Sequence, residues 1–186
     1  MSSSSSFPSS SARWGALGLL WLGALLGYLV SPLVWLVAGP IRWLGWMAAT
    51  AATESGYNPD AQGAEENGTT SYGMLQFNST NAYLFRGVSW SSPFWQGIAA
   101  ARYVQSAILT DWRWLLLRLP FVGFEILRLL WRGGPGSAGR WAEAASYTEE
   151  RARSAARAWS LVLFIPSVLF SGWLFGLLWH GRRGGR

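Results

Sequence analysis

One glutamate, Glu54, has the sequence surroundings of a catalytic carboxylate. It closes a run of small helix-forming residues and directly precedes Ser55 and Gly56, where a helix is expected to stop. A polar stretch follows, and order is expected to resume at Tyr72-Gly73-Met74-Leu75-Gln76. A carboxylate at the end of a helix, faced by a glutamine-bearing turn, indicates general acid–base chemistry.

The composition excludes the other common catalytic groups. The chain has no cysteine, so disulfides and thiolate metal sites are ruled out. Its single histidine, His180, lies beside C-terminal arginines, which excludes an imidazole metal site and any Ser-His or Cys-His nucleophile pair within a domain. Chemistry must therefore come from carboxylates, and we expect neither a metal nor a cofactor.

Charge and hydrophobicity favour a lipid partner. The net charge is +6, the 15 basic residues are all arginine, and 51% of the chain is hydrophobic. Arginine pairs bidentately with phosphate or carboxylate, so nucleic acid, lipid headgroups and cell walls are all candidate partners. Because the apolar residues are clustered, we expect a bilayer as partner and do not expect nucleic acid.

Two long uncharged segments predict transmembrane helices. A bilayer core about 30 Å thick is spanned by roughly 20 helical residues, and both segments are that long. In the first, Pro32 and Gly39-Pro40 are expected to kink or end the helix, and Pro40 to begin a new helix that reaches Glu54. The expected divisions are a flexible serine-rich leader (1–13), a transmembrane helix (14–39), a helical domain (40–158), a second transmembrane helix (159–180) and a basic tail (181–186).

A cleavable signal peptide is the competing interpretation of the N-terminal segment, since Ala49-Thr50-Ala51 resembles a cleavage site. Cleavage there would leave Glu54 near a frayed terminus, and the apolar run is longer than a signal core. With cytoplasmic termini, the basic tail obeys the positive-inside tendency and the domain faces the opposite side. The localisation expected is a bacterial inner membrane with a periplasmic domain, or the membrane of a virion.

Glycine pairs and a charged stripe suggest how the helices pack. Gly23 with Gly27, and Gly172 with Gly176, would let helices approach closely, which allows the two membrane helices to pack together. Three charges between Trp114 and Trp131, together with Arg132, fall on one helical stripe, which predicts an interfacial helix or one sunk among other helices with Glu125 and Arg128 paired. The stripe consists of Arg118, Glu125, Arg128 and Arg132. Residues 58–70 are expected to form a loop, and 93–111 a helix.

The segments Glu54-Ser55-Gly56-Tyr57-Asn58-Pro59 and Ser71-Tyr72-Gly73-Met74-Leu75-Gln76 resemble the motifs of the lytic transglycosylases of the lysozyme superfamily. In that family a Glu-Ser pair closes a helix, an Asn-Pro turn follows, and a Gly-Leu-Met-Gln type segment begins the next helix. Here Leu and Met are exchanged, and Trp131 and Arg132 stand where the family has Tyr and Asn before a Gly-Pro-Gly segment. The resemblance covers residues 47–159 and implies an all-α, lysozyme-like domain.

The resemblance implies cleavage of the peptidoglycan glycan strand between N-acetylmuramic acid and N-acetylglucosamine. Glu54 would protonate the leaving glycosidic oxygen and then take a proton from the muramyl C6 hydroxyl, which closes a 1,6-anhydro ring. A general acid must hold its proton near neutral pH, and aromatic neighbours such as Trp46, Tyr57 and Tyr72 could exclude water. The residues that would bind the glycan or orient the carboxyl are Ser55, Tyr72, Met74, Gln76 and Tyr147.

Other functions remain open from the sequence. If Asp60, Glu65 or Glu66 holds a water across from Glu54, the enzyme would hydrolyse the bond as a lysozyme does. A non-catalytic membrane or virion protein, or a holin-like pore former, is the alternative from another class. A homo-oligomer, or a complex in a phage virion or cell envelope, could form through the membrane helices.

Overall fold

The computed structural model of the protein describes residues 9–65, 68–119, 122–147, 150, 152–159 and 161–162. The second predicted transmembrane helix, 159–180, lies almost entirely outside the described residues, and the basic tail, 181–186, and most of the leader lie outside them as well. The prediction that Gly172 and Gly176 pack on the first membrane helix also falls outside them.

The described chain is mostly helical, which confirms the helical class predicted from the sequence. Three short strands form an antiparallel sheet in the order β1-β2-β3, so the expectation of a plain loop over 58–70 is wrong at β1. The α-helices and strands are α1 (Ser10–Leu29), α2 (Pro32–Val37), α3 (Pro40–Glu54), β1 (Gln62–Ala64), β2 (Thr70–Tyr72), β3 (Phe77–Asn78), α4 (Pro93–Thr110) and α5 (Gly123–Gly133). Shorter 3₁₀ helices cover Ser79–Leu84, Trp112–Arg118 and Pro135–Tyr147, and 152–159 are helical.

Prolines divide the first apolar segment as the sequence predicts. Pro32 occupies the first turn of α2 and Pro40 the first turn of α3, where a missing N–H costs no hydrogen bond. The predicted single helix over 14–39 is therefore α1, a break and α2. Within the described residues, α1 is the one helix long and apolar enough to cross a membrane, a test that a buried core helix or a signal sequence also passes.

Glycine allows α1 to pack closely against α4. A Cβ added to Gly23 would lie 1.9 Å from the carbonyl oxygen of Phe94, and one added to Gly97 would lie 2.3 Å from the amide nitrogen of Ala24. The two backbones therefore touch at a spacing that only glycine permits. In the described part of the chain, the first glycine pair thus serves packing within the domain, with Gly27 lying over Ile98.

We expect Gly97→Ala to lower the free energy of unfolding by about 1–3 kcal/mol, since a methyl group forced into this contact overpacks it. Gly18→Ala on α1 is the matched control, because a Cβ there meets open space. That variant should gain about 0.5–1 kcal/mol from helix propensity. Thermal unfolding followed by circular dichroism in detergent measures both, and equal stability of the two variants would contradict the packing described.

Two tryptophans hold α3 against α1. The indole of Trp43 is buried and donates to the carbonyl of Ala24 at 3.0 Å, and the indole of Trp21 donates to the carbonyl of Leu44 at 3.2 Å. Most of α3 between Trp43 and Ala51 is buried. Because the helix is fixed along this length, the position of its last residue, Glu54, is fixed as well.

The predicted charged stripe does not exist as one helical surface. Arg118 ends a 3₁₀ helix, Leu119 is extended, and α5 begins only at Gly123, so the backbone breaks the stripe after Arg118. The predicted pair of Glu125 with Arg128 is also wrong, since Glu125 pairs with Arg153 at 2.8 Å. Of the two alternatives for this segment, the structure supports the helix sunk among others: α5 buries Phe124, Ile126, Leu127, Leu129 and Leu130.

Candidate active site

The end of α3 places Glu54 at a sharp left-handed turn. The amide of Ser55 donates to the carbonyl of Ala51 at 3.2 Å and caps the helix. Gly56 and Tyr57 then adopt φ angles of 59° and 66°, a conformation that glycine tolerates and that ends the helix. The amide of Tyr57 returns to the same carbonyl of Ala51, so the turn folds back on the helix end.

The hydroxyl of Ser55 joins the two sequence motifs. Its Oγ lies 2.9 Å from the carbonyl oxygen of Met74 and 3.1 Å from that of Ala51. The segment Tyr72–Gln76 is thereby held against the end of α3. Ser55 is thus bound to main-chain carbonyls, and it positions the turn beside Glu54.

Two side chains that sequence reasoning did not assign to the turn hold it in shape. Gln96 of α4 is buried, and its Oε1 accepts from the amide of Leu75 at 2.9 Å. Trp131 of α5 donates from its indole to the carbonyl of Leu75 at 2.8 Å. The helical periodicity of this segment gave no signal for Gln96, and only its burial in the structure shows that its amide needs hydrogen-bond partners.

Gly73 is required by this arrangement. Its φ is 74°, and an added Cβ would lie 1.4 Å from Nε2 of Gln96. We expect Gly73→Ala to lower the free energy of unfolding by about 2–4 kcal/mol, because the variant suffers both backbone strain and overpacking against Gln96. Gly68→Ala is the matched control. Gly68 has a φ of 79° but open space around it, so an added Cβ there causes backbone strain without a steric clash. Urea midpoints measure both, and equal losses would show that the contact with Gln96 carries no cost.

The predicted glycan-binding residues have different surroundings. Met74 is completely buried, so it belongs to the core and reaches the site through its carbonyl. The side-chain amide of Gln76 donates to the carbonyls of Gly73 at 2.8 Å and Ala61 at 3.2 Å, which stabilises the turn. Tyr72 is half-buried with its ring 5.4 Å from that of Trp90. The side chain of Tyr147 lies outside the described residues.

Glu54 is held by arginines of α5. Oε1 accepts from Nη1 of Arg128 and lies 3.8 Å from Nε of Arg132, and the glutamate side chain is 16% exposed. Among the described residues, Oε2 has no hydrogen-bond partner. One carboxylate oxygen is therefore fixed, and the other is available to a ligand.

Arg128 is an unusual partner because it is completely buried. Its Nε and Nη2 atoms have no hydrogen-bond partner among the described residues, so the guanidinium depends on Glu54 for compensation. The sequence signal was an arginine inside an apolar helix, but the predicted partner was Glu125.

The aromatic residues expected to exclude water from Glu54 have other partners. The guanidinium of Arg42 lies over the ring of Trp46, with its Cζ atom 4.6 Å from the ring centroid. The hydroxyl of Tyr57 accepts from the indole of Trp159 at 2.9 Å, and its ring stacks on Trp14. Burial raises the pKa of Tyr57, which the hydrogen bond from Trp159 opposes.

An open pocket of about 410 Å³ lies next to this aromatic group, lined by Ser10, Arg13, Trp14 and Tyr57. Tyr57 follows Glu54 by three residues, so the pocket lies near the end of α3. Its lining combines aromatic rings with a cation, which are groups that bind sugars and carboxylates. The N-terminal end of α1 therefore lies near the turn that follows α3.

Of the three loop acids considered as a second catalytic group, the structure describes Asp60 and Glu65. Asp60 is exposed in a turn in which its amide donates to Oδ1 of Asn58 at 3.1 Å. Glu65 is exposed and accepts from the hydroxyl of Ser71, whereas Glu66 lies outside the described residues. The described residues contain no group of three or more metal-ligating side chains.

Comparisons of this chain with models of protein families, with curated proteins and with solved structures find no match. The geometry around Glu54 is therefore the basis for any functional assignment.

Proposed function

We propose that this chain is a membrane-bound peptidoglycan lytic transglycosylase with Glu54 as its catalytic residue. The hydrogen bond from Ser55 to Met74 supports the proposal most directly, because it brings together the two segments that resemble the family motifs. Among the described residues, Oε2 of Glu54 has no hydrogen-bond partner, while Oε1 is fixed by Arg128. The membrane location is supported by α1 and by the uncharged segment 159–180.

In the proposed reaction, Glu54 gives a proton to the leaving glycosidic oxygen as the bond to the muramyl C1 breaks. The muramyl C6 hydroxyl then attacks C1 and returns its proton to Glu54, so no water is consumed. A single carboxyl serves both steps because the sugar supplies its own nucleophile, whereas ordinary glycosidases require two carboxylates. Arg128 fixes the position of this carboxyl through Oε1.

A non-catalytic membrane or virion protein is the second candidate, and one observation favours it. The buried guanidinium of Arg128 needs an anionic partner, so Glu54 would have a structural role even without catalysis. The two candidates differ in one property, the ability to cut glycan strands.

Release of soluble fragments from purified peptidoglycan by the full chain in detergent tests the proposal. The transglycosylase predicts a fall in the turbidity of the wall suspension together with the appearance of soluble muropeptides. An intact, folded protein that releases nothing from walls of several peptide compositions would favour the structural candidate. Bacterial and phage origins both fit the proposal.

A further inference from the structure

One of the two arginines beside Glu54 reaches solvent. Arg128 and Arg132 lie one turn apart on α5, so they share one side of the helix. Arg128 is completely buried, whereas the side chain of Arg132 is 41% exposed. Oε1 of Glu54 accepts from Nη1 of Arg128 and lies 3.8 Å from Nε of Arg132. Glu54 therefore has one guanidinium toward the core and a second that is accessible from outside.

The backbone on both sides of Arg132 is fixed. The indole of Trp131 donates to the carbonyl of Leu75 at 2.8 Å, which ties the last turn of α5 to the glutamine-bearing turn. Two residues after Arg132, Gly134 caps the helix with a φ of 72°. Because α5 is held at both of these points, Arg132 has a defined position relative to Glu54.

The guanidinium of Arg132 is suited to an anionic ligand. Its Nε is too far from Oε1 of Glu54 for a hydrogen bond, so this pair is held by charge attraction. A guanidinium presents a planar fork of N–H donors, which pairs bidentately with a carboxylate. A neutral sugar can accept a hydrogen bond from the fork, but only an anionic group gains from the positive charge as well.

The substrate of the proposed reaction carries an anionic group near the bond that is cut. The muramyl ring whose C1 reacts bears a lactyl group at C3, and the peptide attached to that group carries free carboxylates. We call the lactyl group and its peptide the muramyl arm. Oε2, the reacting oxygen, belongs to the same carboxyl as Oε1, which lies 3.8 Å from Nε of Arg132. A muramyl ring bound with C1 at Oε2 therefore places its arm within reach of Arg132.

We propose that Arg132 determines substrate specificity by binding a carboxylate of the muramyl arm while the glycan lies at Glu54. The inference rests on the proposed function and deepens it, because it names a part of the substrate that is recognised besides the glycan chain. An arginine in the last turn of α5 also interacts favourably with the helix dipole. A role limited to that interaction predicts an effect on stability and none on substrate choice.

The test compares two soluble substrates that differ in the charge of the muramyl arm. Both are uncross-linked peptidoglycan strands treated with hydrofluoric acid, which removes wall polymers that contain phosphate. In the second substrate, carbodiimide and ammonium convert the carboxylates to neutral amides. Fragment release by the full-length chain in detergent, followed by chromatography, gives KM and kcat on each substrate.

We expect Arg132→Gln to raise KM on the carboxylate strands about 10-fold, the usual worth of one charge-assisted hydrogen bond. The value of kcat should change little, because Arg128 still holds Oε1 of Glu54. On the amidated strands, the wild type should show the raised KM, and Arg132→Gln should not raise it further. An equal rise of KM on both substrates, or a fall of kcat at unchanged KM, would overturn the proposal.

Two further variants separate recognition by Arg132 from a general effect of charge. Arg132→Lys keeps the charge but loses the fork, so it should recover part of the KM, and a KM equal to that of Arg132→Gln would contradict recognition by charge. Arg140→Gln is the matched control. Arg140 is exposed, and its Nη2 lies 3.2 Å from the position of a Cβ added to Gly133, at the same end of α5. This control should leave KM unchanged, and a rise equal to that of Arg132→Gln would reduce the effect to net charge.

Fluorescence anisotropy of labelled strands separates this proposal from the proposed function, because it measures binding without requiring cleavage. Binding that Arg132→Gln weakens on carboxylate strands only, with no cleavage, would contradict the transglycosylase and support the carboxylate site. Cleavage whose KM is the same on carboxylate and amidated strands would contradict the carboxylate site and support the transglycosylase.

Discussion

Glu54→Gln is expected to reduce the cleavage of purified peptidoglycan by at least about 10³-fold, because the lost carboxyl serves as both acid and base. Glutamine keeps an Oε1 that can accept from Nη1 of Arg128, so the buried guanidinium retains a hydrogen bond and the chain should still fold. The rate of soluble muropeptide release, measured beside thermal unfolding of both proteins, gives the result.

Glu125→Gln is the matched control for this prediction. Glu125 lies one turn before Arg128 on α5, and its carboxylate pairs with Arg153 at 2.8 Å. The side chain is 19% exposed, close to the 16% of Glu54, so the control matches the exposure of the carboxylate, although its partner Arg153 is 33% exposed whereas Arg128 is fully buried. The control should keep most of the activity. Equal losses in both variants would mean that the helix packing, and not the Glu54 carboxyl, limits cleavage.

Removing Glu54 altogether is expected to have the largest effect on stability. Glu54→Ala leaves the buried Arg128 without a counter-charge, which typically costs about 3–5 kcal/mol. Adding Arg128→Met should recover most of the loss, because the double variant no longer buries an unpaired guanidinium or its unsatisfied Nε and Nη2 atoms.

Urea unfolding of the two single variants and the double variant, in one detergent, completes this double-mutant cycle. We expect Arg128→Met alone to unfold near the midpoint of the wild type while it loses activity, since Glu54 is then no longer held. Additive losses in the double variant would contradict the assigned coupling between Glu54 and Arg128.

Local sequence signals were sufficient to predict the bounds of α3, the helix that carries Glu54. Proline in a first helical turn marked the beginning of α3 at Pro40, and the Ser55-Gly56 pair marked its end. The beginning of α4 at Pro93 followed the same rule. These positions could be predicted because the backbone chemistry of proline and glycine acts within a few residues.

Long-range partners could not be predicted in the same way. Glu125 and Arg128 are three residues apart on a helix, a spacing that favours a local ion pair. The fold instead brings Arg128 to Glu54, 74 residues earlier in the chain. Likewise, the Gly23-Gly27 pair signalled close packing correctly, but the partner is α4. Residue spacing predicts which side chains share one face of a helix, whereas the tertiary structure determines which element packs against that face.

The role of Met74 shows the same limit at a single residue. Its place in a motif predicted a groove-lining side chain, yet the turn directs that side chain into the core and its carbonyl toward Ser55. A turn with positive φ angles at Gly73 and Gln76 reverses which groups face outward. Motif letters alone do not specify that reversal.

Mass spectrometry of the fragments that the full-length protein releases from purified peptidoglycan tests most directly whether a single carboxyl, Glu54, cuts the glycan. We expect muropeptides that end in 1,6-anhydro-N-acetylmuramic acid, released by the wild type and absent from the Glu54→Gln digest. Fragments with only reducing ends would show that water, and not the sugar, completes the reaction, and anhydro products from Glu54→Gln would show that another residue carries it.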